Sequence, residues 1–269
     1  MATPQTLALS RPLNVTIWHE HRHEKTNESV KKVYPKGMHT VLGDAVRKNL
    51  GASNVVVRYA LLDDPNHGLT DEILASTDVM TWWGHMAHGE VQDAIAEKVQ
   101  QRVLQGMGIL FLHSAHVSKP FRRLMGTSGS LKWREAAEIE RIWCVNPSHE
   151  IADGLPEHFD IPHEEMYGEH FDIPAPDELV FVSWFEGGNI FRSGCTWTRG
   201  KGKVVYFRPG HETFPTYFQP EVQRVITNAI RWAAPRSTSP FAIACPNETV
   251  SLSPIAAQHV VDESIHKHK

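Results

Sequence analysis

Four short apolar runs, each ending in a polar or histidine-bearing loop, constrain this chain more than any other feature. They are "NVTIW" (residues 14–18), "NVVVRYALL" (54–62), "DVMTWW" (78–83) and "GILFLH" (108–113), and their length and β-branched or aromatic content read as strands. Between them, "DAVRKNL" (44–50) and "VQDAIAEKVQQRVLQG" (91–106) have helical spacing, the second closed by glycine. Strands alternating with helices predict a mostly parallel sheet with helices on both faces, in which ligands sit beyond the carboxyl ends of the strands.

The histidines follow that rule. The chain holds 17 of them, and histidine is both the usual imidazole ligand of zinc-like metals and the side chain that titrates near neutrality. His19, His21 and His23 follow the first strand, His67 the second, His85 and His88 the third, and His113 and His116 the fourth. A later strand, "KVVYF" (203–207), runs into a loop that carries His211 and Glu212. A single histidine at a strand end is most often a surface or hydrogen-bonded residue; several independent loops delivering histidine to one edge point to a shared site. His19-Glu20-His21-Arg22-His23 matches H-E-x-x-H letter for letter. That motif needs a helix, so that both histidines share one face, and here it directly follows a strand.

Composition excludes several classes of function. A net charge of -4 gives no electrostatic ground for binding nucleic acid. Cys144, Cys195 and Cys245 are widely spaced without a C-x-x-C, which indicates neither a disulfide framework nor a cysteine zinc site. No apolar stretch approaches the length of a membrane span and no secretion signal opens the chain, so the expectation is a cytoplasmic protein with no membrane partner. Assembly into a homo-oligomer is left open. The organisation expected is an N-terminal extension (1–13), one α/β domain (14–235) and a poorly packed C-terminal tail (236–269) rich in serine, proline and small residues.

The second half of the domain reads as richer in loops and aromatics, with strands at 179–184, 189–192 and 203–207 and a closing amphipathic helix from Glu221. Cys144 falls at a helix or loop exit in this reading, and Cys195 in a glycine-rich turn. Glu164, Glu165, Tyr167 and Glu169 crowd one segment that looks too polar for core, either a solvated loop or a pocket lid.

Several long stretches carry a resemblance: "HEKTNESVKKVYPKGMH", "DDPNHGLTDEILASTDVMTWWGHMAH", "RVLQGMGILFLHSAH", "LMGTSGSLKWRE", "EEMYGEHFDIPAPDELVFVSWFEGGNIFRSGCTWTRGKGKVVYFRPGHETFPTY" and "NAIRWAAP". Together they resemble the trehalose-utilisation (ThuA-like) family from about residue 14 to residue 235. The resemblance implies a flavodoxin-like sheet of the class I glutamine amidotransferase type and a role in catabolism of trehalose-like disaccharides or their keto derivatives. Amidotransferases of this fold carry a cysteine nucleophile on a sharp strand-to-helix turn and a histidine–glutamate pair after a late strand. Here the pair survives as His211-Glu212, but the turn reads "FLHSA", with His113 at the nucleophile position. Without a thiolate the acyl-enzyme route has no nucleophile, and Ser114 lacks the flanking glycines that expose a serine on such a turn.

His113 facing His211, with His23 and His85 nearby, suits a divalent metal, zinc above all, whose open position could polarise a sugar carbonyl or activate water. Glu24, Glu165 and Glu212 are candidates to orient the imidazoles or move a proton, together with His116. His88, Trp83, Tyr167 and Trp184 are candidates to bind a small-molecule sugar substrate. His19 and His21 depart from the family pattern, which leaves them no assigned role. The two functions expected are a metal-dependent sugar hydrolase or isomerase and, as its alternative, a non-catalytic sugar- or metal-binding protein of the same pathway.

Overall fold

The computed structural model describes residues 11–235; the expected C-terminal tail and most of the N-terminal extension lie outside the described residues. The first half alternates as the apolar runs predict: β1 (Leu13–His19), α1 (His23–Thr26), α2 (Glu28–Val33), α3 (Met38–Leu50), β2 (Val55–Leu61), α4 (Asp71–Ser76), β3 (Val79–Trp83), α5 (Asp93–Leu104), β4 (Gly108–Leu112) and α6 (Lys119–Met125). The second half is nearly all strand: β5 (Lys132–Cys144), β6 (His158–Gly168), β7 (Glu178–Phe185), β8 (Ile190–Arg199), β9 (Gly202–Phe207), then α7 (Pro220–Ala233).

One nine-stranded sheet runs in the order β2-β1-β3-β4-β9-β8-β7-β5-β6. The pairs from β2 to β9 are parallel and those from β9 to β6 antiparallel. The parallel half has the flavodoxin-like order, whose crevice opens beyond the carboxyl ends of β1 and β3. Alternation along the strands divides the core between two faces. Ile109, Phe111, Val204 and Tyr206 pack with α5 and α6, while Leu110, Leu112, Val205 and Phe207 pack with α3 and α7. Trp18 and Trp82, opposite each other in register, stack at 3.7 Å on the first of these faces.

Three readings of the sequence need correction. Helix α3 begins at Met38, six residues before the helical pattern is legible, because Gly37 (φ 85°) turns the chain into it and Leu42 and Val46 supply its buried stripe. Cys144 and Cys195 lie in strands β5 and β8. The acidic segment through Tyr167 is strand β6, neither loop nor lid, with Glu164 and Glu165 buried; Glu169 lies just past its end, part-exposed and paired with Arg192. The register of β6 with β5 carries both strands well beyond the level of β9's end, since Glu140 pairs with Phe185 and Ile161 whereas Trp133 pairs with Tyr167. Register shifts on either side of Glu138, with Ala137 left-handed (φ 53°), bend this ribbon. Bending brings Glu164, Glu165 and Tyr167 to the edge where the histidines gather.

Candidate functional site

The H-E-x-x-H residues straddle the end of β1 and the start of α1, so they share no helical face. Each does something different. His19 is buried and stacks on Trp83, its partner in register, with ring centroids 4.7 Å apart. Glu20, also buried, accepts the N–H groups of His85 (2.7 Å), Met86 (3.0 Å) and Ala87 (2.9 Å). One carboxylate thereby ties the β3 exit to the β1 exit and fixes where His85 stands. His23 Nε2 lies 2.8 Å from His85 Nδ1, and each of those nitrogens is 3.4 Å from Glu212 Oε1.

His113 leaves β4 in the left-handed region (φ 50°), a conformation that costs a non-glycine residue on the order of 1–3 kcal/mol and that clusters at functional turns. Its Nδ1 lies 3.1 Å from the Arg208 carbonyl oxygen. A carbonyl can only accept, so Nδ1 carries a proton for that bond, and Nε2 is the nitrogen turned towards the site. Nε2 there meets Glu165 Oε2 at 3.3 Å and the Tyr167 hydroxyl at 3.4 Å. Tyr206 donates to the His113 carbonyl at 3.0 Å, and Ser114 donates to the Gly84 carbonyl at 2.7 Å. Ser114 is thus engaged with backbone and not with His211.

Arg208, at the end of β9, has no exposed surface; it pairs with Glu140 and donates to the Glu165 carbonyl, with Glu164 at 3.3 Å. Glu164 Oε1 accepts from the Gly210 N–H (2.9 Å) and the Thr216 hydroxyl (2.7 Å). This buried network joins β5, β6 and β9 and shapes the loop that presents His211 and Glu212. It also explains how so acidic a segment enters the interior: buried carboxylates persist where a guanidinium and backbone donors satisfy them.

Two groups of ligand-type atoms result, each with its members within 4.8 Å of one another: His23, His85 and Glu212, and His113, His211 and Glu212. Glu212 belongs to both. Burial alone would raise its pKa, but the bond from His85 and the charges of His211, His85 and His23 outweigh burial and hold it well below the usual carboxylate range. Glu165 is lowered in the same way, burial being outweighed by His113, His211 and Arg208. Burial and His113 push His211 down. His85 is raised, because Glu212, Glu165 and Glu20 overcome its burial. Glu212 Oε2 and Glu165 Oε2 are buried and make no hydrogen bond. Nitrogen and carboxylate donors with unsatisfied lone pairs fit a first-row divalent ion.

The remaining expected residues divide. Tyr167 stacks on the His113 ring at 5.1 Å, and His116 donates from Nδ1 to the Gly129 carbonyl (2.6 Å) while packing edge-on to Tyr167. His88 stands beside Gly84, its Nε2 buried and unbonded. Glu24 accepts from the Met38 N–H and faces His19 Nε2 at 3.3 Å, forming a third group with His19 and His39 rather than joining His113 and His211. Trp83 is fully buried and donates to the Gly210 carbonyl, so it is a wall of the site and offers no face for a sugar to stack on. Trp184 is half-exposed on β7 opposite Arg141 and Ile190, and the structure brings it to neither histidine group. His67 is structural: Nδ1 donates to the Leu62 carbonyl and Nε2 accepts from Gln92 N–H.

Sequence reasoning missed Glu20, Glu140, Glu164 and Arg208 as positioning residues, and His19 and His39 as partners of Glu24. The one available signal was a charged residue directly abutting an apolar strand, as in "VVYFR" and "TIWHE".

A flavodoxin-like order in the parallel half of the sheet, a left-handed His113 on the β4 exit turn and a histidine–glutamate pair after β9 define the class of this fold. The chain belongs to the ThuA family, described as trehalose utilisation, which matches residues 14–233. Among solved structures it is similar to a ThuA-like protein of Parabacteroides merdae (14% identity, TM-score 0.61, 86% of this chain and 94% of that one). It is similar also to a ThuA-like protein of Bacteroides uniformis (15%, 0.61, 87% and 96%) and to a cytoplasmic protein of Salmonella typhimurium (14%, 0.54, 73% and 87%). These likenesses establish the fold. No curated protein matches the chain. Among the described residues no helix is long and apolar enough to cross a membrane.

Proposed function

We propose that this protein is a divalent-metal-dependent enzyme of trehalose-type disaccharide catabolism, acting in the cytoplasm on the disaccharide or its keto derivative by hydrolysis or isomerisation. The observation that carries the reading is the setting of Glu212, a buried carboxylate between the His23–His85 and His113–His211 pairs with one oxygen unbonded. The substrate class comes from the family, described as trehalose utilisation. Zinc suits the donor set best, and a metal held there would supply Lewis acidity or an activated water.

The chain's own residues account for the rest. Arg208 fixes the tautomer of His113, and Glu165, 3.3 Å from His113 Nε2, is the group placed to hold or move a proton. The His85 side chain is 36% exposed whereas those of His113 and His211 are nearly sealed, so the site opens to solvent beside His85. An approach for substrate favours an enzyme over a closed structural metal site.

The test is turnover of trehalose and keto-trehalose by purified protein, before chelation, after it, and after zinc is restored. The reading expects consumption of at least one of the two, lost on chelation and recovered with zinc. Failure of zinc-replete protein to consume either substrate, or turnover indifferent to chelation, would overturn it.

A further inference from the structure

We infer that this centre is built for two divalent ions sharing Glu212 as a bridging carboxylate, and not for one ion ringed by four imidazoles. The inference rests on the metal reading above and gives it a nuclearity. All donors to one first-row ion sit about 2.0–2.3 Å from it, so no two of them are much more than 4 Å apart. The four imidazoles do not meet that condition as a set. They fall into two pairs, His23 with His85 and His113 with His211, and Glu212 alone is common to both. The His85 ring lies 6.5 Å from that of His113 and 6.3 Å from that of His211, centroid to centroid, whereas the rings within each pair are 4.9 and 5.5 Å apart.

The carboxylate is oriented to serve both pairs. Oε1 is 3.4 Å from His23 Nε2 and from His85 Nδ1, while Oε2 is 3.9 Å from His211 Nε2 and has no hydrogen bond. Each oxygen therefore completes one pair. The second pair is faced by the carboxylate placed to hold or move a proton: Glu165 Oε2, buried and unbonded, stands 3.3 Å from His113 Nε2. The first pair has the half-open His85 side instead, where water or substrate would complete its shell. Paired ions about 3.5–4 Å apart clamp two oxygens of one ligand. The ligand class this arrangement fits is an α-hydroxyketone or vicinal diol, one oxygen to each ion, which is what a keto-sugar or sugar presents.

The test loads metal-depleted protein with excess zinc, removes the excess by gel filtration and measures zinc per chain. Two per chain are expected for the parent, one for His85→Asn, and two for His39→Asn, which removes a ligand only from the separate His19–Glu24–His39 group. One per chain in the parent overturns the bridged pair and leaves the metal reading standing; none overturns both. Two in the parent falling to one in His39→Asn would move the second ion to the other group and equally overturn the bridge. X-ray absorption of the zinc-loaded parent requires no variant to fold. It should show a zinc–zinc vector at about 3.5–4 Å, and light-atom neighbours alone would contradict the proposal.

Discussion

The proton on His113 Nδ1 is committed to the carbonyl oxygen of Arg208 at 3.1 Å, and that bond leaves Nε2 as the only nitrogen His113 can offer the site. The two jobs of the ring can therefore be separated. Asn places an amide N–H near the position of Nδ1 and tolerates the left-handed backbone that His113 adopts, but it has nothing at Nε2. His113→Asn should stay within about 1 kcal/mol of the parent in urea unfolding while losing zinc affinity by about tenfold or more. Equal zinc affinity in the two proteins would show that Nε2 is not a ligand.

Glu20 should act on His85 from a distance. Its carboxylate takes three consecutive backbone N–H groups, and Glu20→Gln replaces one acceptor oxygen with an amide that cannot accept. Leaving a buried N–H unsatisfied costs about 1–3 kcal/mol. Hydrogen exchange at residues 85–87 should accelerate and zinc affinity should fall, although Glu20 is in neither metal group. Unchanged exchange at those amides would refute the anchoring role.

Acid should destabilise the protein through buried neutral histidines. Burial pushes His116 down to about 3, and burial with His85 and Arg122 pushes His88 down to about 4, against an ordinary value of about 6.5 in the unfolded chain. Between those limits the unfolded state binds more protons than the folded one, so the stability they contribute is complete above about pH 6.5 and drains away as pH falls towards 3–4. Each unit of separation is worth about 1.4 kcal/mol. His116→Asn, which keeps a donor for the Gly129 carbonyl, should flatten the fall in melting temperature between pH 6.5 and 4. An equally steep fall in the variant would exclude His116 as a source.

Glutamine, the substrate of the amidotransferases that the sequence brings to mind by resemblance, should not be hydrolysed. Burial pushes Cys195 up to about 12 and raises Cys144 as well, and both lie in strands away from the β4 exit turn, where His113 stands. A thiol so disposed supplies no thiolate for acyl transfer. Ammonia release from glutamine by purified protein, abolished by changing His113, Ser114 or either cysteine, would contradict this.

How much of this was legible in the sequence depended on whether a signal was local. The four apolar runs before residue 113 carry their own periodicity, and each became a strand with its histidine at the carboxyl end. Strand β6 did not announce itself, because "HFDIPHEEMYG" owes its place to Arg208, 43 residues from Glu165 along the chain. A buried glutamate and a solvated one are the same letter until the partner is known. Trp83 can be read from sequence both as strand and pocket wall and as a stacking face for a sugar; buried, stacked on His19 and bonded to the Gly210 carbonyl, it is placed as wall. His23, His85, His113 and His211 could be assigned to one edge from sequence, but their division into pairs about Glu212 required the loop geometry that Glu20 and Glu164 impose.

The most direct test of the account is anomalous diffraction from crystals of the zinc-loaded protein, with data collected on both sides of the zinc absorption edge. The account predicts anomalous density within bonding distance of Glu212 and of imidazole nitrogens of His23, His85, His113 and His211. A site beside Glu212 with no edge-dependent density, in crystals whose solution zinc exceeds the protein, would contradict it.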